Sequence, residues 1–406
     1  MSVAARLKTI NVDALIIDTE HRIGDNWRRR YRQLVLHDPV WADHMPYIHF
    51  PANWPVFTPK DKLAGFLEAY AELMELTVWL QTRLVTSSYD EKTHTWTVAL
   101  ERTFPDGSIG NRTLHPRHII LATGHSGKKN FPVIKGIDGF RGDLICHSSE
   151  FPGSKPGAPG KKAIVVGSCN SGHDIAQDYF EKGYDVTMVQ RSSTCVVSSE
   201  GITEIEAKGL YDEDAPPVED ADLWAYSLPA EIFKFLHVGI AQAQTALDAK
   251  IHQGLKKAGF KTDLGPDSTG LMMKYVQRGG GYYIDVGASQ LIIDGKIKVK
   301  QGQDITEVLP RGLKFADGSE LEADQIVFAT GYGNMRDHAR EILGDEIANG
   351  LGSVWGYNEE GEVRNIWRRS GHPGVWFMGG NLAFCRYFSR HLALQIKALE
   401  LGLASY

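Results

Sequence analysis

Residues 162–191, KAIVVGSCNSGHDIAQDYFEKGYDVTMVQR, hold the clearest chemistry in the sequence. An apolar strand (Ala163 to Val166) runs into a glycine-bearing turn (Gly167 to Gly172), a helical stretch (His173 to Lys182) and a second apolar strand (Asp185 to Val189). Gly167 makes the tight turn and Gly172 lets the helix approach the strand. The first backbone N–H groups of the helix then face a pyrophosphate, aided by the helix dipole. The middle position of such a turn is normally glycine and here is Cys169, flanked by Ser168, Asn170 and Ser171, whose side chains can donate hydrogen bonds. With no resolving cysteine nearby, Cys169 reads as a small residue in place of glycine rather than a redox thiol. Nineteen positions after Gly172, at the tip of the second strand, stand Arg191, Ser192 and Ser193. An acid there would bind the ribose 2′-OH of NAD, whereas Arg accommodates the 2′-phosphate, so the expected coenzyme is NADPH.

A second site of the same kind is signalled by Asp18, which ends the apolar run Ala14 to Ile17 after a helical stretch. It occupies the place of a ribose-binding acid. The strand and glycine loop that should precede that helix are missing, and Met1 falls where the last loop residues would be, as a late start codon or incomplete gene model would explain. Strand patterns at Thr77 to Val85, Thr95 to Thr103 and His118 to Leu121 lead into Ala122-Thr123-Gly124. The order recurs at Lys296 to Lys300, Gly312 to Ala316, Glu320 to Ala323 and Ile326 to Phe328, which leads into Ala329-Thr330-Gly331. This repetition suggests two nucleotide-binding units of one construction. Each βαβ unit implies a parallel sheet with helices on both faces. Phe151 to Lys161, dense in Gly and Pro, reads as a hinge; Gly201 to about Gly279 is mostly helical; Phe388, Leu392, Ile396, Leu399 and Leu403 mark one buried face of a closing helix.

Composition bounds the partners. With 44 Lys+Arg against 50 Asp+Glu the net charge is −6, which argues against a general attraction to nucleic acid or anionic membrane. Arg28-Arg29-Arg30 with Arg32 therefore reads as a solvated or phosphate-facing surface. The four scattered cysteines form no disulfide framework or zinc site, and a reducing, cytoplasmic setting is expected. No apolar run is long enough for a membrane span. His37, His44 and His49 lack metal-ligand spacing, and no GxSxG or HExxH is present.

Taken together, Ile23-Gly-Asp-Asn-Trp27-Arg28, Phe57-Thr-Pro-Lys60, Phe140-x-Gly142 with His147 and Phe151, Gly167 to Asp174, Phe328 to Tyr332 and Gly379-Gly380-Asn381 resemble the flavin-containing monooxygenase family over nearly the whole chain. The likeness is to its indole-3-pyruvate monooxygenase branch and related N-, S- and Baeyer–Villiger oxygenases. Two spacings depart from the family pattern besides the missing loop: Phe140 to His147 has one residue more than usual, and Cys169 replaces a glycine. The resemblance implies an α/β protein with two Rossmann-like, doubly wound domains, the NADP domain (156–322, with a helical insert) inserted into an FAD domain (1–155 and 323–406). Carried over, Asp18 would meet the FAD ribose, Trp27 and Arg28 would lie by the flavin, and Thr123-Gly124 and Gly380-Asn381 would line it. Gly167, Ser168, Asn170, Ser171, Gly172, Arg191 and Ser192 would hold NADPH, with Thr330, Gly331 and Tyr332 near the junction. The implied reaction passes a hydride from NADPH to FAD and then uses O₂, through a flavin C4a-(hydro)peroxide, to oxygenate a small organic substrate. The alternative is a flavin-deficient, NADPH-binding remnant or partner protein. A disulfide reductase would need paired cysteines that are absent.

Overall fold

The computed structural model describes residues 1–124, 127–155 and 160–405. The chain opens with α1 (Ser2–Thr9) and β1 (Leu15–Ile17) and passes α2 (Asp25–Arg28) and α3 (Lys60–Leu73) to β2 (Thr77–Trp79), which pairs in parallel with β1. β3 (Thr82–Asp90), β4 (Thr95–Thr103) and β5 (Ile109–Leu114) form an antiparallel ribbon, followed by β6 (Ile119–Leu121). The run expected as one strand from Thr77 to Val85 is two, because Gln81 takes the left-handed φ of +49° between β2 and β3 and turns the chain from one sheet into the other. Next come β7 (Leu144–His147), β8 (Lys162–Val166), α4 (Asn170–Glu181), β9 (Asp185–Gln190) and β10 (Thr194–Ser198). The helical insert contains α5 (Val218–Tyr226), α6 (Ala230–Leu247), α7 (Ala249–Lys257) and α8 (Gly270–Arg278). It is followed by β11 (Tyr282–Asp285), β12 (Ile297–Gln301), the antiparallel ribbon β13 (Ile305–Leu309), β14 (Gly312–Phe315) and β15 (Glu320–Glu322), and then β16 (Gln325–Phe328). The chain closes with β17 (Val375–Phe377) and α9 (Leu382–Glu400).

The inner sheet has the order β12-β9-β8-β16-β7, with every pair parallel. Its apolar strands are buried on both sides, as a parallel sheet requires. Ala163, Val165, Val186, Met188 and Val327 pack into one core, and Ile164, Val166, Val189, Ile326 and Phe328 into another. The expected βαβ unit is present, its helix starting at Asn170 rather than His173 because extended Cys169 (φ −101°, ψ −168°) is the N-cap. β7 and β16 fall in segments expected in the outer unit, yet β16 pairs with β8 and β7 pairs with β16 as the edge of the inner sheet. Of the hinge expected from Phe151 to Lys161, residues 156–159 lie outside the described residues.

In the outer unit the parallel strands form two separate pairs, β1 with β2 and β6 with β17. α1 packs on α9, and Val3, Leu7, Trp96, Trp376, Leu392 and Ile396 share one core. Leu392, Ile396 and Leu399 face that core as expected, whereas Leu403 lies past the helix end and is exposed. Among the described residues no helix is long and apolar enough to cross a membrane, and no His, Cys, Asp and Glu side chains group to hold a metal ion.

Candidate functional site

The turn after β8 is built by steric exclusion. Gly167 has φ +123°, and a Cβ there would stand 2.2 Å from the Ala329 carbonyl oxygen; a Cβ on Gly172 would stand 2.3 Å from that of Gly167. Only glycine fits either place. The first turn of α4 therefore lies close against β8 and β16 with its end N–H groups lacking intrahelical acceptors, an arrangement that suits an anion. Burial pushes the Cys169 thiol up, so it stays protonated and is a small N-cap residue rather than a thiolate. Two side chains expected to reach phosphate are engaged elsewhere. Ser168 Oγ lies 2.9 Å from Thr194 Oγ1, and Asn170 Oδ1 accepts from the Ile284 N–H at 2.8 Å, which fastens the turn to β10 and β11. What remains for an anion at these positions is backbone. The Tyr31 hydroxyl donates to Asp174 Oδ2 at 2.6 Å. Arg191 and Ser192 stand exposed just past the end of β9.

The turn after β16 is clamped from three sides. His147 is fully buried; its Nδ1 accepts from the Ser149 N–H at 3.2 Å, so Nε2 carries the proton and donates to the Gly331 carbonyl at 3.0 Å. Burial lowers its pKa and favours this neutral form. Thr330 Oγ1 donates to the Asn130 carbonyl at 2.6 Å. The Tyr332 ring meets the His147 ring edge-on at 5.2 Å, and its hydroxyl accepts from Arg30 Nη1 at 3.2 Å.

On the outer side Asp18 is exposed at the end of β1, with Oδ1 accepting from the Glu20 N–H at 3.0 Å. Trp27 packs against the cluster containing Phe50, Leu63 and Trp54. Arg28 is not a free cation. Its Nη1 donates to the Ile23 carbonyl at 2.6 Å and to Asp25 Oδ1 at 3.0 Å, and its Nη2 to Glu68 Oε2 at 3.3 Å, an ion-pair cluster that the sequence did not disclose. Thr123 and Gly124, the latter at φ +69°, follow β6. Gly380, at φ +112°, has the Tyr275 hydroxyl and Phe384 Cβ 2.9 Å from where its Cβ would be. Asn381 caps α9, its Oδ1 accepting from the Phe384 N–H at 2.9 Å. Its own N–H donates to the Tyr275 hydroxyl at 2.6 Å, and its Nδ2 to Asp38 Oδ2 at 3.0 Å. Tyr275 and Asp38 escaped sequence reasoning; the one available signal was an acid set among the apolar residues Leu34 to Val40.

Residues 1–203 match the model of the pyridine nucleotide-disulphide oxidoreductase family, and the chain belongs to that family. The probable indole-3-pyruvate monooxygenase YUCCA10 of Arabidopsis thaliana is 28% identical over 79% of this chain and 76% of its own length. Indole-3-pyruvate monooxygenase YUCCA8 of Oryza sativa subsp. indica is 26% identical over 96% and 83%. A solved flavin-containing monooxygenase from Stenotrophomonas maltophilia superposes with a TM-score of 0.62 at 17% identity, covering 98% of this chain and 94% of its own. A structure of OTEMO in complex with FAD and NADP gives 0.64 at 18% identity, covering 99% and 84%. The expected fold is borne out, and the relatives are flavin-dependent monooxygenases, as the sequence resemblance implies. A bacillithiol disulfide reductase from Bacillus cereus shares the fold at a TM-score of 0.59 and 14% identity. All four cysteines here are free, and burial pushes the Cys146 and Cys195 thiols up to about 11 and about 12.

Proposed function

We propose that this chain is an FAD- and NADPH-dependent monooxygenase that inserts one oxygen atom of O₂ into a small organic substrate. The observation that carries the reading is the turn from Gly167 to Gly172, where backbone carbonyls fill both Cβ positions and leave the start of α4 open to a pyrophosphate. NADPH would rest on the backbone of Gly167, Ser168, Asn170, Ser171 and Gly172, with its 2′-phosphate at Arg191 and Ser192. FAD would be held by Asp18, Thr123, Gly124, Gly380 and Asn381, with Trp27 and Arg28 beside it and Thr330, Gly331 and Tyr332 at the junction. The chemistry supplied by the flavin when bound is electron transfer from NADPH to O₂, one oxygen atom entering the substrate and the other leaving as water. The protein's share is alignment and exclusion of water. His147 and Arg30 hold the Gly331-Tyr332 turn, and the rings of Tyr226 and Tyr275 pack on Phe384.

A second reading, an NADPH-binding protein without flavin, is favoured by one observation: the outer unit's parallel strands form two unjoined pairs. The two readings part on one preparation. Protein incubated with FAD and freed of excess is examined for visible absorption, for bleaching by NADPH and for NADPH-driven O₂ consumption. A yellow protein that bleaches and consumes O₂ fits the monooxygenase. A colourless protein that binds NADPH tightly without consuming O₂ fits the second reading.

A further inference from the structure

Gly279-Gly280-Gly281 join α8 to β11 and follow Arg278, the last residue of α8. This loop lies beside the turn from Gly167 to Gly172. β10 and β11 run in parallel with Cys195 opposite Tyr282, and the Cys195 N–H donates to the Gly281 carbonyl at 3.2 Å. The same two strands hold the turn, through Thr194 on Ser168 at 2.9 Å and Ile284 on Asn170 at 2.8 Å. The end of α8 and the start of α4 therefore meet at one edge of the inner unit.

Two cations reach this edge from α8, and they are engaged differently. Lys274, 5% exposed, is already used: its Nζ donates to Asp263 Oδ2 at 2.6 Å and to the Gly281 carbonyl at 3.0 Å. Arg278 is exposed and makes no ion pair among the described residues; its Nε lies 3.4 Å from the Gly280 carbonyl, a weak contact. Its guanidinium folds over Gly281, with Nη2 at 2.4 Å from where a Cβ on that residue would be. Gly281, at φ +94°, thus leaves the space in which the guanidinium sits. Burial dominates at the Cys169 thiol, but the Lys274 and Arg278 charges both act on it, so Arg278 stands near the N-cap of α4.

A pyrophosphate on the turn would meet backbone N–H groups and, with Ser168 and Asn170 engaged, no cation from the turn itself. A guanidinium carries five donors in a planar fork that matches neighbouring phosphate oxygens. Arg278 supplies such a fork without first having to leave an acid.

We propose that Arg278 is a coenzyme-binding residue whose guanidinium closes over the pyrophosphate of the dinucleotide seated on the turn from Gly167 to Gly172. The proposal rests on the reading of that turn as the NADPH site. It divides the work between two arginines, Arg278 holding the group that NADPH and NADH share and Arg191 the 2′-phosphate that only NADPH has.

The test is calorimetric titration of the full chain, incubated with FAD and freed of excess, with NADP⁺ and NAD⁺, the oxidised coenzymes, which bind without turnover. Arg278→Gln should weaken both by about tenfold to a hundredfold, the worth of a charge-assisted contact, and by the same factor; Arg278→Lys should recover part of the loss. Unchanged affinities in folded Arg278→Gln would overturn the proposal, and so would a loss confined to NADP⁺. A measurement on wild-type protein stands beside the variants: phenylglyoxal labelling of arginines, read by peptide mass spectrometry. Saturating NADP⁺ should slow labelling of Arg278 about tenfold or more and leave exposed Arg112 on β5 unaffected. Equal labelling of Arg278 with and without coenzyme would overturn the proposal even if no variant folds. Wild-type protein that binds neither coenzyme sinks the reading of the turn itself, whereas tight binding that ignores Arg278 sinks this role alone.

Discussion

The Nε2–H of His147, at the end of β7, donates to the carbonyl of Gly331, 3.0 Å away in the turn that follows β16. The bond joins the ends of two adjacent parallel strands, and the same ring supports Tyr332 edge-on. His147→Ala removes the donor, leaves the Gly331 carbonyl without this partner and opens a hole in the inner sheet's rim. The expected cost is about 1–3 kcal/mol in urea unfolding, with weaker NADPH binding if the proposed coenzyme site includes this turn. Unchanged stability would mean that the clamp is redundant.

Arg191 stands exposed beyond β9 with Ser192 beside it. If it meets a 2′-phosphate, Arg191→Ala should weaken NADPH by about tenfold to a hundredfold, the worth of a charge-assisted contact, and leave NADH nearly unchanged. Fluorescence titration with both coenzymes decides it, and equal losses would remove Arg191 from that role.

At Gly172 the argument is purely steric. A Cβ would come within 2.3 Å of the Gly167 carbonyl oxygen, which is backbone and held by its own strand end. Gly172→Ala must push α4 off the turn, and a destabilisation of about 1–3 kcal/mol is expected together with loss of NADPH binding. Gly239→Ala, at a helical position with open space, is the control and should stabilise the protein by about 0.5–1 kcal/mol through helix propensity.

Much of this was legible beforehand, and the reason is local. Gly167, Gly172 and the apolar strands on either side form one strand–turn–helix–strand unit within thirty residues, so their spacing announces the inner unit even though the Ala329 carbonyl that crowds Gly167 lies far along the chain. The N-terminal β1 and the closing helix were equally plain from periodicity. What stayed hidden depends on contacts across the chain. Ser168 and Asn170 have the right chemistry for phosphate, but Thr194 and Ile284 claim them, and β11 is more than a hundred residues away. Arg28 is neutralised in part by Glu68, and Asp38 gains its setting from residues as distant as Asn381. The membership of β7 and β16 in the inner sheet likewise needs a pairing that no single stretch reveals.

His173, in the first turns of α4, stacks flat on Tyr283 at 3.6 Å, and its Nε2 is buried without a partner among the described residues. Burial pushes its pKa down from 6.5 to about 4. The unfolded chain therefore binds more protons at this residue between those values, and stability falls as pH drops from about 6.5 and levels below about 4. At about 1.4 kcal/mol per pH unit, the whole effect is on the order of 3 kcal/mol. His173→Phe keeps a ring on Tyr283 and should flatten this part of the urea-unfolding profile. A parallel acid response in both proteins would assign the effect to other groups.

The bridge between Arg386 and Asp222 makes the opposite case, a buried pair whose members cannot be removed singly. Their side chains are 1% and 3% exposed, the contact is bidentate, and Tyr211 also donates to Asp222 at 2.8 Å. It joins α5 of the helical insert to α9, while the Ala42 and His44 carbonyls tie both to the segment that carries Asp38. Arg386→Met leaves Asp222 buried with only Tyr211 beside it, together with two carbonyls that have lost their donor. The expected loss is about 3–5 kcal/mol. Replacing Asp222 by Leu in the same chain removes the stranded charge and should recover a large part of it, since apolar packing often equals such a pair. Unfolding curves of the two single variants and the double variant measure the coupling. If the losses simply add, the bridge contributes nothing as a pair, and the insert is held to α9 by its aromatic contacts alone, Tyr226 on Phe384 and Tyr387.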